Sequence, residues 1–263
     1  MRINRKEYVM QKFYLLYQIK NMVLRTPFSY GHYRTLSKYR DTAYSFEKNK
    51  HPVREKHHGQ EGWKPEFEGD FQYRNYSSYE EYIQHQSQKF DEMLKAQGGF
   101  KNRDILEYRK RFYRRFRYLP AFLDKSSKIL CLGARQGTEV EVLRDIGYKN
   151  AIGLDLNPGP ENPYVIPGDF MNLEYPDASV DMIYTNCIDH AFNLDQFFKE
   201  HARVVKPGGY AIYDIASYGM GLGTFEAVGW ETDDAVFLLS LKYFKTVIKV
   251  ETDGGWKWLL LRR

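Results

Sequence analysis

From Lys128 onward, short apolar runs alternate with amphipathic ones. "KILCLG" (128–133) is a continuous apolar run ending on glycine and predicts a buried strand. "TEVEVLRDIG" (138–147) sets Val140, Leu143 and Ile146 at helical spacing, with Gly147 as the stop. "NAIGLDL", "YVIPGD" and "SVDMIYTN" predict three more strands, and "GGYAIYDIA" a fifth. Between the last two, "LDQFFKEHARVV" predicts a helix with Leu194, Phe197, Phe198 and Val205 turned inward. "TDDAVFLLSLKYF" predicts a helix capped near Thr232 or Asp233. "KTVIKVE" and "WKWLLLRR" flank Asp253-Gly254, a tight-turn signal, and so predict a closing hairpin. The fold class is therefore α/β: a mostly parallel sheet, covered on both faces, that ends in an antiparallel hairpin. That ending departs from the dinucleotide-binding sheet.

The first 125 residues lack this alternation. Residues 5–24 predict a helix, and residues 48–76, rich in His, Gly, Pro and charge, a long loop. A helix starts at Ser78, whose spacing to Glu81 makes a capping box, and runs to about Gln97. Another follows Asn102 and ends near Pro120. On it, Ile105, Tyr108, Phe112, Phe116 and Leu119 form an apolar face. Lys110, Arg114 and Arg117 lie opposite, flanked by Arg111 and Arg115. Such a basic surface is either a solvated face or a track for phosphate. The expected organisation is a helical N-terminal extension, 1–125, capping the acceptor site, and an α/β domain, 126–263.

Charge sharpens this division. Residues 1–125 hold 26 Lys and Arg against 15 Asp and Glu; residues 126–263 hold 13 against 19. A basic third joined to an acidic half suggests two tasks. The only two cysteines, Cys131 and Cys187, lie in apolar runs, as buried thiols in a reducing compartment do. His57-His58 sits in a polar, charged segment, and no metal-ligand spacing occurs. No apolar run reaches membrane-spanning length and no secretory leader is evident, so the protein is expected to be soluble and cytoplasmic.

The chemistry concentrates at the strand ends. Gly133 and Gly137, between a strand and a helix, allow close backbone approach at a helix N-terminus, which suits a carboxylate or phosphate. The spacing misses the dinucleotide fingerprint. Asp155 ends the second strand, where a carboxylate can accept both hydroxyls of a ribose. Asp169 ends the third, placed for an exocyclic amine, with Phe170 beside it to pack on a flat ring.

With these pieces in this order, residues 126–263 resemble the class I S-adenosylmethionine-dependent methyltransferases. The matching segments are "ILCLGARQG", "AIGLDL", "PGDFMNLEYPDASVDMIYTN", "IDH" and "ARVVKPGGYAIYD". The resemblance implies a seven-stranded sheet and S-adenosyl-L-methionine as cofactor. It implies that Gly133, Ala134 and Gly137 border the methionine part and that Asp155 binds the ribose, with Asn157 nearby. Leu156 then flanks the adenine, Gly168, Asp169 and Phe170 hold it, and Asn186 and Cys187 lie under the sulfonium. The chain departs from the family in two places: Cys131 stands where an acidic residue is usual, and Arg135 where a glycine is. A guanidinium at position 135 can compensate by pairing with the cofactor's carboxylate, or it points to solvent.

Two roles are open to His190: a general base assisted by Asp189, or a wall of the cofactor pocket. Tyr82, His85, Gln86 and Lys89 can share one side of their helix and face the cleft, as a surface for a hydroxyl-rich or anionic acceptor. The segment is similar to lead-in helices of methyltransferases found with bacterial surface-polysaccharide genes. With the basic helix, it favours O-methylation of a sugar or of a phosphorylated or nucleotide-linked precursor in capsule or surface-polysaccharide biosynthesis. The alternatives are a nucleic-acid methyltransferase using helix 102–118, which lacks the Asn-Pro-Pro-aromatic tetrad, and a non-catalytic cofactor-binding protein.

Overall fold

The computed structural model describes residues 62–64, 67–97, 105–159, 162–216, 224–253 and 256–263. The chain divides into Met1–Lys56 and a compact unit, His57–Arg263, that holds all of them. The helix expected over 5–24, the His57-His58 pair and most of the loop expected over 48–76 lie outside the described residues, as does Gly254 of the expected turn.

The unit opens with strand β1 (Phe71–Tyr73), helix α1 (Tyr79–Gln97) and helix α2 (Ile105–Phe116). The α/β succession follows: β2 (Ile129–Leu132), α3 (Thr138–Ile146), β3 (Ala151–Asp155), β4 (Val165–Pro167), β5 (Val180–Thr185), α4 (Leu194–Val204) and β6 (Val205–Ala216). Next come β7 (Val228–Trp230), α5 (Asp233–Ser240) and the closing pair β8 (Thr246–Asp253) and β9 (Trp256–Arg262). Seven strands form one sheet in the order β4-β3-β2-β5-β6-β9-β8. β9 runs antiparallel to both neighbours, while β4, β3, β2, β5 and β6 pair in parallel. The strands and helices expected from Lys128 onward are all present. The pairing of β1 with β7 was not anticipated: β1 falls inside the stretch read as loop.

Period-two alternation explains the layers. Leu130, Leu132, Ile183, Tyr213 and Leu259 pack on one face under Phe197 and Phe198 of α4 and Tyr82 of α1. Ile129, Cys131, Met182, Tyr184 and Trp258 pack on the other under Phe112 and Phe116 of α2 and Val140 and Leu143 of α3. "KPGG" forms an irregularity at the start of β6. A Cβ on Gly209 would fall 2.8 Å from the Asp181 carbonyl of β5, so the motif lets two strands close up.

The capping box at α1 is displaced by one residue. The Glu81 amide donates to Ser78 Oγ, but the Glu81 carboxylate turns back to the amide and hydroxyl of Ser77.

The basic residues of this segment divide: Lys110, Arg114 and Arg117 are exposed, while Arg109, Arg111 and Arg115 turn toward the protein. Arg115 is fully buried, and its Nε donates to the buried Asp214 carboxylate of β6 at 3.1 Å; Tyr184 Oη donates to the same carboxylate. Arg111 Nη2 stands 3.7 Å from Asp214. Arg109 pairs with Glu141 and Asp145 of α3. The side chains that read as flanking cations thus anchor the helix to the sheet. Removing one partner of such a pair strands a buried charge. Asp214→Ala is therefore expected to cost about 3–5 kcal/mol in chemical denaturation. Lys110→Ala, which removes an exposed pair with Glu107, should change stability by less than about 0.5 kcal/mol.

Candidate active site

The sheet order reverses between β2 and β5, since the chain runs outward to β3 and β4 on one side and to β6 on the other. In such sheets a crevice opens beyond the carboxyl ends of the strands at the reversal. The segments leaving β2 and β5 meet there. Gly133, with φ of 68°, lies so close to Cys187 that a Cβ would fall 2.8 Å from its sulfur. The Cys187 thiol donates to the Gly133 carbonyl at 3.5 Å. Burial pushes that thiol up to about 12, so it packs as a protonated group and not as a nucleophile.

The loop from Gly133 to Gly137 turns through positive φ at Gly133, at Gly137 and, with φ of 45°, at Arg135. Asp155 fixes this turn. Its carboxylate accepts the Arg135 amide at 2.9 Å and the Asn157 amide at 3.0 Å, joining the exits of β2 and β3. Burial raises its pKa; the two amides and the nearby charges of Arg135 and Lys89 act in the opposite sense. Asn162, which the sequence did not single out, ties the loop to β4: its amide donates to the Arg135 carbonyl and its oxygen accepts the amides of Tyr164 and Val165. Its only sequence signal is a short polar residue between Pro-containing turns.

Two adjoining cavities flank the loop. Asp155, Leu156, Asn157, Phe170, Tyr82 and Gln86 line one of about 480 Å³ of open space. Ala134, Gln136, Thr138, Glu139, Asn186, Asp189 and Glu226 line another of about 790 Å³, together with Tyr108, Arg111 and Phe112 of α2 and Trp256. Lys89, Gly133, Arg135, Cys187 and His190 border both. Gly168 and Asp169 border neither. Gly168 donates its amide to the Asp155 carbonyl, so the tips of β3 and β4 adjoin. The Asp169 carboxylate accepts the Tyr79 hydroxyl at 2.5 Å and the Met171 amide at 2.8 Å.

Three of the four α1 residues converge on His190. Tyr82, fully buried, donates its hydroxyl to the His190 carbonyl at 3.0 Å. Gln86 Oε1 lies 3.0 Å from Nδ1, and the Phe225 carbonyl 2.9 Å from it. Both neighbours are acceptors, which puts the ring proton on Nδ1 and leaves the lone pair on Nε2. Lys89 Nζ donates to Nε2. Burial and the Lys89 charge both hold His190 well below the usual imidazole range. His85 stands apart, stacked on Phe225 with Nδ1 against the Tyr76 hydroxyl, and borders neither cavity.

Asp189 Oδ2 is 3.4 Å from His190 Nε2, on the side of the ring that Lys89 occupies. Burial, reinforced by Glu226, raises its pKa to about 7, while Lys89 and Arg135 pull it down. No cluster suited to a metal ion occurs among the described residues, and no described helix is long and apolar enough to cross a membrane.

Comparison with known proteins gives this geometry a context. Residues 130–213 match a family described as a methyltransferase domain. Sterol 24-C-methyltransferase of Eremothecium gossypii is 35% identical over 78 residues, 29% of this chain and 20% of that protein. The match thus spans about a fifth of that relative's length. The PH0226 protein of Pyrococcus horikoshii superposes with a TM-score of 0.50 at 24% identity, covering 61% of this chain and 93% of that one. A Burkholderia thailandensis 1,6-didemethyltoxoflavin-N1-methyltransferase, solved with its acceptor and S-adenosylhomocysteine, superposes with a TM-score of 0.57 at 14% identity. It covers 75% of this chain and 97% of its own. The fold is that of Rossmann-like methyltransferases.

The raised pKa of Asp189 gives a pH signature. A carboxyl with a folded pKa near 7 and an ordinary unfolded one of about 3.9 favours the folded state fully below the unfolded value. That contribution is lost as pH climbs through about 7. Thermal melts from pH 5 to 9 should show wild type falling with pH more steeply than Asp189→Asn; parallel curves would contradict the assignment.

Proposed function

We propose that this chain transfers a methyl group from S-adenosylmethionine to a small polar acceptor at the strand-end crevice. The observation carrying this reading is the junction at the sheet's reversal, where the Gly133 turn, the Asp155 carboxylate and the Cys187–His190 segment surround one pair of cavities. The residues fit such a cofactor. Gly133 lets the Cys187 side chain press against the start of the loop, where a Cβ would fall 2.8 Å from its sulfur.

Asp155 spends one lone pair of each oxygen on amides and keeps the others for ribose hydroxyls. Phe170, set edge-on to Phe197 and thereby fixed, and Leu156 offer apolar contact to the adenine. Asn157 stays beside the ribose and Gly168 lets the tips of β3 and β4 approach. Asp169, whose carboxylate holds Tyr79 and the Met171 amide, supports the adenine side from behind Phe170. Gly133 and Ala134 border the amino-acid end, Gly137 closes the turn against Tyr164 and Val165, and Asn186 and Cys187 border the sulfonium. When bound, the cofactor supplies an electrophilic methyl on a cationic sulfur.

The protein's share is to place the acceptor and manage its proton. His190 is poorly suited to take that proton, because its lone pair already accepts from Lys89. Asp189, buried at the same junction and half ionised near neutral pH, is the better poised base, with His190 and Lys89 positioning it. Lys89 and Arg135 favour an anionic acceptor. A sugar, or a phosphorylated or nucleotide-linked precursor of a surface polysaccharide, methylated on oxygen in the cytoplasm, meets these requirements. Arg109 and Arg115 are engaged with carboxylates of the chain itself, which counts against a nucleic-acid track along α2.

Isothermal titration with S-adenosylhomocysteine tests this. Micromolar binding is expected for wild type, weakened about 10- to 100-fold in Asp155→Ala, the loss of one or two charge-assisted hydrogen bonds. Absence of heat with wild type would end the reading.

A further inference from the structure

The larger cavity contains a cation that its own fold leaves unfinished. Arg111 projects from α2 with its guanidinium 3.9 Å over the ring of Trp256, and Nη2 stands 3.7 Å from Asp214, beyond hydrogen-bonding reach. Its Nε and Nη2 are sealed from solvent, yet neither has a hydrogen-bond partner. Buried donors are ordinarily satisfied, and two idle ones on a single guanidinium ask for an acceptor from outside the chain. The wall they share is built by the glycine loop and the first residues of α3. On the same cavity, Glu226 Oε2 is likewise buried without a partner. Unpartnered donors on a cation and an unpartnered oxygen on an anion around one space suit a zwitterion better than a phosphate, which the carboxylates of Glu226 and Asp189 would repel.

We propose that Arg111 is the clamp for the carboxylate of the cofactor's amino-acid end, held ready by Trp256 and Asp214; this rests on the cofactor reading above. The strand tip that usually bears an acidic residue here bears Cys131, fully buried and held protonated by its surroundings, so it supplies no charge to that end. Arg135, the other cation at the loop, bears electrostatically on Lys89, Asp155, Asp189 and His190, which places its influence at the acceptor junction. The planar fork of Arg111 can give a carboxylate two parallel hydrogen bonds.

Titration with two nucleosides isolates the clamp. S-adenosylhomocysteine carries the amino acid; 5′-deoxy-5′-methylthioadenosine has the same adenosine and thioether without it. Arg111→Met should lose at least tenfold in affinity for the first and stay within twofold for the second. Arg111→Lys, which keeps charge and stem but not the fork, should show a smaller loss with the same selectivity, and serves if the methionine variant folds poorly. Arg135→Gly, which suits the positive φ at that position, should lose less than threefold for both. An unchanged S-adenosylhomocysteine affinity in both Arg111 variants overturns the proposal. So does an equal loss for both nucleosides, which would mark a structural role, or a selective loss confined to Arg135→Gly. Wild type that binds neither nucleoside overturns the cofactor reading and the clamp together.

Discussion

The crevice depends on one carboxylate accepting two backbone amides. Asp155 sits at the tip of β3, and through the Arg135 and Asn157 amides it fixes both the turn leaving β2 and the turn leaving β3. Without it, the glycine loop would have to satisfy the Arg135 amide elsewhere, and a buried unpaired amide is costly, about 1–3 kcal/mol. Burial alone would drive this carboxyl toward its neutral form. The amides oppose that drive, so the anion needed for hydroxyl recognition is the same anion that shapes the loop. The sheet's reversal between β2 and β5 then brings Gly133 against Cys187, and the cavities follow from that contact.

The sheet was legible because its signals are local. Period-two runs bounded by glycines, and helices with one apolar side, each specify their own element, and the hairpin strands follow from the short turn between them. β1 and β7 were not legible. Each spans three residues, and each is a strand only because the other lies beside it across a separation of more than 150 positions. Pairing of that kind leaves no trace in a single window. One stretch of the matching segments, "KPGG", borders neither cavity; it accommodates the close approach of β5 and β6. A recurrent pattern can thus mark a fold without touching its chemistry.

The candidate site was legible as a set of positions and not as a set of charges. The convergence of Tyr82, Gln86 and Lys89 on one partner follows from helical spacing, but the partner is His190, so part of the surface read as facing an acceptor serves the protein itself. Lys89 and His190 are 101 residues apart, and their pairing exists only after α1 has docked on the sheet. Asp189 changes character in the same event, because its shift comes from burial and from Glu226, which is distant in sequence. The basic face of α2 gives the mirror case. Its basic residues read as a solvated face or a phosphate track from spacing alone, but the buried Asp214 of β6 draws Arg115 fully into the core. Spacing locates a side chain around its own axis; charge pairing depends on what the neighbouring layer offers.

Arg135 shows how the two levels compete. A left-handed backbone costs a residue with a Cβ about 1–2 kcal/mol relative to glycine, and the turn leaving β2 demands that conformation at this position. A glycine would meet the demand without cost, so local stability gives no reason for arginine here. The side chain borders both cavities and acts on four ionisable groups at their junction. Its positive charge opposes the burial that would neutralise Asp155 and Asp189, and it reinforces the burial that keeps His190 neutral. Strain of this kind persists where surrounding structure over-determines it and where function gains from it. The Asp155 carboxylate supplies the first condition by holding the Arg135 amide. The second turns on the guanidinium itself, whose charge, secondary to burial, bears on all four groups.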